Sequence, residues 1–418
     1  MKTYFHPADI LLPDFKKVDG SRWAVIACDQ FTSEPEYWQE AESLVGDSAS
    51  TLRLILPEAF LEETESRVPQ INTTMREYLD SVFSEHKSAM IYVERTQSNG
   101  EIRRGIVGAI DLEYYSYLPG ESSLIRATEG TVLERIPPRV AIRRYAAVEL
   151  PHVMLLIDDP ERRVIEPLAE LDLPEAYNFP LMLGGGAIRG GFLPPEQVER
   201  VNSELAKLFT PEELQNRYGF VPSDPMLFAA GDGNHSLAAA KASYEELKAA
   251  IGDPAYNHPA RYALVEMVNL HDESLHFEPI YRVVFDADPE MLILELRKYC
   301  EALRGNAKPQ TIEFISAGER GTIRIESPIQ QLPVGTLQTF IDKFCQKHPE
   351  ATVDYIHDED SARRIASREN AVGFIFDGMG KHQLFSTVML DGALPRKTFS
   401  MGHARDKRYY LEARRIKK

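Results

Sequence analysis

Apolar residues along the chain fall into short runs bounded by turn residues, alternating with stretches where they recur every three or four positions. Residues 23–28 (W-A-V-I-A-C) read as a strand, and Ser33-Glu34-Pro35-Glu36 then read as a capping box opening a helix through about Val45. Runs 89–94 and 102–112 predict two strands joined by a turn at Ser98-Asn99-Gly100. Run 152–157 predicts a buried strand closed by Asp158-Asp159-Pro160. In 196–209, Val198, Val201, Leu205 and Leu208 share one helical face. Run 226–230 predicts a strand that enters Gly231-Asp232-Gly233-Asn234-His235-Ser236, followed by an alanine-rich helix over 237–250. Runs 262–268 and 280–285 read as strands. Beyond them the pattern predicts a helix at 288–303, strands near 311–315 and 321–326, a helix at 335–346, and strands near 371–376 and 383–390. This alternation predicts an α/β (mixed α+β) protein of mixed sheets with flanking helices. Changes of rhythm suggest three domains: an α/β domain over 1–180, a central domain over 181–290 carrying the Gly-Asp-Gly-Asn-His-Ser turn, and an α/β domain over 291–418 with a basic tail.

The 418 residues are 43% apolar and 27% charged, which suits a globular chain with a sizeable core and argues against bulk disorder. No apolar run approaches the length needed to cross a membrane. The first fifteen residues carry Asp9, Asp14 and two prolines, unlike a secretory signal. Cys28, Cys300 and Cys345 show no C-x-x-C spacing and read as reduced thiols of a cytoplasmic protein. The net charge of −17 disfavours nucleic acid and anionic membranes as partners. That charge is uneven. From Arg396 to Lys418 there are nine Lys/Arg and two acids, so the segment is +7 and the rest −24. It is either a solvated basic end or a cationic lid over an anionic ligand.

The strongest chemical signal is the turn at 231–236. Gly231 and Gly233 permit a tight turn and close approach to a ligand. The helix that follows aims free N–H groups and its positive dipole end at the turn, an anion site in the making. Asp232 could hold Mg²⁺, while Asn234, His235 and Ser236 could donate to phosphate oxygens. The competing reading is a ligand-free turn with an Asx cap. The glycine-dense run Leu183 to Gly191 departs from G-x-G-x-x-G at Arg189 and reads as a mobile loop. Cys28-Asp29-Gln30-Phe31-Thr32-Ser33-Glu34 lies where α/β sheets place sites, at the end of a strand. Asp29 and Glu34 are candidates there for metal binding or proton abstraction, or for helix capping. Arg126-Ala127-Thr128-Glu129-Gly130-Thr131 joins a cation, an acid and two hydroxyls; the alternative is a helix start capped by Thr128. Leu394-Pro395-Arg396-Lys397-Thr398-Phe399-Ser400 could clamp a polyphosphate, with Arg405, Lys407 and Arg408 nearby. Histidine spacing gives no zinc motif, and neither a P-loop nor a G-x-S-x-G elbow is present.

Ala27-Cys28-Asp29-Gln30 with Ser33-Glu34-Pro35-Glu36-Tyr37-Trp38, the Gly231–Ser236 turn and the Leu394–Ser400 stretch together resemble domain-of-unknown-function family 1015 over essentially the whole chain. Many relatives read D-G-H-H-R at the turn; here Asn234 and Ser236 replace the first His and the Arg. The central strand–turn–helix more weakly resembles the ParB/sulfiredoxin-like fold, which includes kinases making O-phosphoserine. The resemblance implies a Mg²⁺-dependent phosphotransferase acting on free L-serine, with pyrophosphate, ADP or ATP as donor. Phosphoryl transfer needs positioning, cations and a carboxylate near the attacking hydroxyl. Asp29 or Glu34 would be the base. Asp232 and His235 with the turn amides of Gly231, Gly233, Asn234 and Ser236 would hold metal and phosphate. Arg126, Arg282, Arg396 and Lys397 would neutralise donor charge, Arg282 lying in a P-x-x-R stretch like the family's. Thr128 and Glu129 would meet the substrate. The oligomeric state is left open. Two alternatives remain: a ParB-like nucleotide-binding regulator without turnover, and a phosphatase using the same anion site.

Overall fold

Strand 91–96 shows how the core forms. In the computed structural model, which describes residues 4–118 and 120–417, Ile91 and Val93 enter one apolar cluster and Tyr92 the other. The period-two alternation therefore buries both faces of the sheet. The strands of this sheet are β1 (Ile91–Thr96), β2 (Ile102–Asp111), β3 (Tyr115–Ser116), β4 (Ile125–Ala127), β5 (Met154–Ile157), β6 (Glu175–Pro180), β7 (Ala187–Phe192), β8 (Phe228–Asp232) and β9 (Tyr262–Asn269). Their order is β6-β7-β1-β2-β9-β5-β8-β4-β3. The sheet is mixed: β9 runs parallel to β5 and antiparallel to β2, while β8 runs parallel to β4 and antiparallel to β5.

The chain forms two units of interleaved segments. Met1–Ala127, Thr131–Leu275 and His403–Lys418 make the first, and Thr128–Gly130 with His276–Gly402 the second. The expected divide at 180/181 thus falls inside the first unit, at the turn between β6 and β7 of one sheet. Flanking helices of the first unit include α1 (Pro35–Val45), α2 (Thr64–Ser81), α3 (Ile136–Tyr145), α4 (Pro195–Leu208) and α5 (Asn234–Ile251). On α4, Val201, Leu205 and Leu208 are buried, as their spacing predicts; each such leucine contributes roughly 1.5–3 kcal/mol. Ala238 and Ala239 of α5 let Ile136 and Val140 of α3 pack closely.

The second unit has a five-stranded antiparallel sheet in the order Arg320–Ile325, Gln310–Ser316, Ala371–Ile375, Tyr281–Phe285, Thr352–Ile356. Mixed α/β architecture with flanking helices is thus observed. Several local expectations are overturned. Residues 383–390 form no strand: Leu384–Asp391 is a helix, with Leu384, Phe385, Thr387 and Val388 buried on one face. The glycine-dense run is no mobile loop either. Its second half is β7, paired with β1 and β6, and Arg189 meets Glu94 at 3.4 Å. Glycine is required there by contact: a Cβ on Gly186 would stand 2.0 Å from Thr96 O. The capping box at Ser33 is absent, since α1 is capped at Glu34 with no side-chain bond and opens on Pro35. Thr128 caps no helix; it is buried just after β4.

Candidate active site

Strand β8 ends in a register shift between Ala230 and Asp232, then turns at Gly233 into α5. Gly233 has φ +76°, and a Cβ there would lie 2.9 Å from Val153 Cα and 3.2 Å from His152 Cδ2. The turn therefore rests directly on the residues entering β5. Antiparallel pairing places the start of β5 beside the end of β8, which brings His152 to the first turn of α5.

Helix α5 starts three residues earlier than its apolar pattern suggests, so Asn234, His235 and Ser236 form its first turn. Asp232 Oδ1 accepts from Gly233 N–H at 2.9 Å, and its Oδ2 lies 3.3 Å from Lys407 Nζ. Burial alone would raise the Asp232 carboxyl, but Lys407 and His152 hold it below the usual range. His235 Nε2 accepts from Val132 N–H at 3.3 Å; burial, then Arg139 and Arg135, lower its pKa. The buried Asn234 Oδ1 has no hydrogen-bond partner.

His152, 6% exposed, anchors a polar chain. Its Nε2 meets Ser236 Oγ at 3.0 Å and Asp29 Oδ2 at 4.0 Å; its Nδ1 meets Tyr410 OH at 2.8 Å. Tyr410 OH donates to Cys28 Sγ at 3.1 Å. Burial of the sulfur and the Asp29 charge push the Cys28 thiol up to about 12, so it is no thiolate nucleophile. Tyr410 is raised too, by burial and by Cys28. The 23–28 run supplies only a two-residue strand, Val25–Ile26, but its pairing with Tyr409–Tyr410 carries Cys28 and Asp29 to this place. Cys28, His152, Ser236 and Tyr410 line one wall of a cavity of about 180 Å³ whose remaining lining is largely apolar, including Leu54, Ile71, Met75 and Leu237.

Asp29, Asp232, His235 and Ser236 are thus brought together, with Gly231, Gly233 and Asn234 in the same turn. Glu34 is exposed at the cap of α1 and shares none of these bonds. Arg126 lies in β4, its Nε donating to Ser123 O at 2.9 Å and its Nη2 to Asp224 O. Burial lowers its pKa, against the raising pull of Asp224. Thr128, Glu129, Arg282, Arg396 and Lys397 belong to the second unit. There Arg282, 0% exposed, donates to Gln338 Oε1 (3.0 Å), Ile280 O, Lys397 O (3.0 Å) and Arg396 O (3.1 Å). Its burial lowers its pKa to about 10. Its guanidinium holds the turn that exposes Arg396 and Lys397, which stack their charges over Tyr355. Glu129 Oε2 accepts from Lys397 N–H at 3.3 Å, and Thr128 O accepts from Leu394 N–H at 2.8 Å.

The basic tail forms neither a frayed end nor a single lid. Arg408 is 1% exposed and pairs with Glu266 at 2.8 Å and Glu412 at 2.5 Å, while Arg414 meets Glu149 at 2.8 Å. Sequence reasoning passed over His152 and Tyr410. The sequence marks His152 only as the one polar residue of the run 152–157.

Among the described residues no group of three His, Cys, Asp or Glu could hold a metal ion by itself, and no helix is long and apolar enough to cross a membrane. Some solved structures are similar to this chain. One is a free serine kinase variant in complex with ADP, at 10% identity, covering 76% of this chain and 93% of that one with a TM-score of 0.39. A conserved hypothetical protein from Pyrococcus furiosus matches at 11% identity, 74% and 94% coverage and a TM-score of 0.35. SbnI from Staphylococcus aureus, truncated at its C-terminus, matches at 8% identity, 71% and 82% coverage and a TM-score of 0.34. No curated protein matches the chain in sequence. The family model described as protein of unknown function (DUF1015) matches residues 12–382, and the chain belongs to that family.

Proposed function

We propose that the chain transfers a phosphoryl group from a phosphoric anhydride to the hydroxyl of a small molecule. The observation that carries this reading is the Asp232–Gly233 turn. It sets the N-terminal end of an 18-residue helix beside one carboxylate and the Lys407 ammonium, with Asp29 near His152. Helix amides and an ammonium favour the oxygens of a transferring phosphoryl group. Asp29 is the base that takes the acceptor's hydroxyl proton; Glu34 is too exposed to share that role. His235, kept neutral by burial and by Arg139 and Arg135, can donate to a phosphate oxygen.

Mg²⁺ fits the residues in one way only. There is no protein cage of carboxylates, but Mg²⁺ is commonly held by one or two carboxylates together with substrate phosphates. Asp232 is placed to provide one. The metal would neutralise donor charge. Free L-serine as acceptor rests on the motifs shared with the family, and the donor is pyrophosphate, ADP or ATP.

The test is to incubate the protein with Mg²⁺, L-serine and each donor in turn and to measure O-phosphoserine. Product is expected with at least one donor and is expected to vanish in D232N and D29N. Absence of product with every donor would overturn the reading, and phosphate release without serine would favour a hydrolase.

A further inference from the structure

Ser236 occupies the third position of α5, yet it does not cap the helix; the cap is Gly233, with no side-chain bond. Its hydroxyl goes instead to His152 Nε2, 3.0 Å away. The other edge of the imidazole meets Tyr410. Tyr410 has one proton, and it donates it to Cys28 Sγ. The Tyr410 oxygen also accepts from Cys28 N–H at 3.4 Å, which leaves one lone pair for the His152 Nδ1 contact at 2.8 Å. In the tautomer with the proton on Nδ1, which then donates to Tyr410, Nε2 is the lone-pair acceptor facing Ser236. Asp29 Oδ2, 4.0 Å from Nε2, would stabilise the imidazolium formed when that proton moves. A hydroxyl, a base within hydrogen-bond reach and a group that fixes the base's tautomer are the elements of an activated serine.

We infer that Ser236 is itself a phosphoryl acceptor, forming a covalent phosphoserine at the mouth of the Asp232–Gly233 turn. The inference rests on the phosphoryl-transfer reading of this turn and goes beyond it. Ser236 Oγ attacks the terminal phosphorus of the phosphoric anhydride donor. The Oγ–P bond forms, the bridging P–O bond breaks, and the leaving group departs as orthophosphate or as the shortened nucleotide. The hydroxyl proton passes to His152 Nε2. The phosphate then stands in the first turn of α5, where amide groups and the positive dipole end favour its charge. Lys407, already at Asp232, supplies a cation nearby.

The full chain is incubated with Mg²⁺ and pyrophosphate, ADP or ATP, with and without L-serine. Intact mass and peptide mapping then follow the protein while O-phosphoserine is assayed in solution. One phosphoryl group per chain is expected, on the peptide holding Ser236. It is expected to be absent in S236A, retained in S236T and slowed by roughly 10²–10⁴-fold in H152Q, the usual contribution of a positioned base. Circular dichroism and thermal unfolding confirm that the variants fold. Free O-phosphoserine without a label on Ser236, or a label that survives S236A, overturns the inference and leaves the kinase reading standing. A label on Ser236 without free product upholds the inference and sinks the serine acceptor. Neither label nor product with any donor sinks both.

Discussion

The approach of the 231–236 turn to His152 and Val153 can be tested by adding one methyl group. Gly233 and Gly219 share the left-handed backbone region, at φ +76° and +79°. Alanine in that region costs about 1–2 kcal/mol at either place. The two sites differ in space. A Cβ on Gly219, at the C-cap of the helix Pro211–Tyr218, meets nothing within 4 Å. A Cβ on Gly233 meets Val153 Cα at 2.9 Å, Val153 Cγ2 at 3.1 Å and His152 Cδ2 at 3.2 Å. The closest of these is backbone and cannot swing away, so α5 or the entry to β5 must shift. Overpacking of this kind costs about 1–3 kcal/mol more. G219A is therefore expected to lose about 1–2 kcal/mol and G233A about 2–5 kcal/mol, the sums of those two contributions. Urea unfolding of the two variants beside the parent measures the difference.

Activity separates them further. The shift in G233A moves Ser236 and the α5 amides against His152, and a misplacement near 1 Å costs about 10²-fold in rate. G219A is expected to keep parental phosphoryl transfer, while G233A loses most of it. Equal stability losses in the two variants, or full activity in G233A, would refute the packing of this turn on His152 and with it the site's geometry.

R408M should destabilise the protein by about 3–5 kcal/mol, because Glu412 loses its arginine while charged and buried and Glu266 keeps the more distant Arg103, at 3.7 Å; a loss under about 1 kcal/mol, the level of an exposed pair, would deny that the cluster is buried. Glu149 is held below the usual carboxylate range by Arg414 and Arg143, against the raising effect of its burial. Because its folded pKa is depressed, its contribution is present above the unfolded value and is lost as pH falls through the folded one. E149Q should flatten the acid limb of stability against pH, and a limb identical to the parent's would contradict this. K407M removes the ammonium that helps keep Asp232 low, so its carboxyl rises and the acid limb of kcat/KM moves to higher pH; an unmoved limb would remove Asp232 from the titrating groups.

The strand–turn–helix at the site was legible because its determinants are local. An apolar run, glycine in a left-handed turn and a helix-forming alanine tract lie within some twenty-five residues. What escaped is what sequence separation hides. His152 becomes a site residue only through the antiparallel pairing of β5 with β8, and Tyr410 only through its pairing with Val25–Ile26. The unit division was hidden for the same reason, since Glu129 joins the second unit by bridging Leu394. The helix Leu384–Asp391 was misread because Leu-Phe-Ser-Thr-Val is rich in β-branched and aromatic residues. Its buried positions at i, i+1, i+3 and i+4 show that tertiary burial of one face outweighed that local preference. Arg189 illustrates the converse: a glycine-dense stretch read as a loop is glycine-dense because neighbouring strands and Tyr177 occupy the Cβ positions.

The basic tail shows why a charge tally along the sequence misdirects. Its +7 suggested a clamp for an anion, yet its cations divide by burial into different tasks. Arg408 and Arg414 go inside, where Glu266, Glu412 and Glu149 await them. Each of those carboxylates would be costly to bury alone, and each arginine likewise; their joint burial closes the first unit by pinning its last residues to β9 and to Val148–Glu149. Trp23 Nε1 donating to Leu411 O at 2.9 Å, and Leu11 N–H donating to Ala413 O at 2.7 Å, tie the tail to the chain's beginning. Among the described residues, Lys407 is the tail cation of this unit paired with Asp232. Two of the tail's nine cations, Arg408 and Arg414, thus serve folding, five others are exposed, and one lysine, beside the buried Arg408, carries the tail's part in the candidate chemistry.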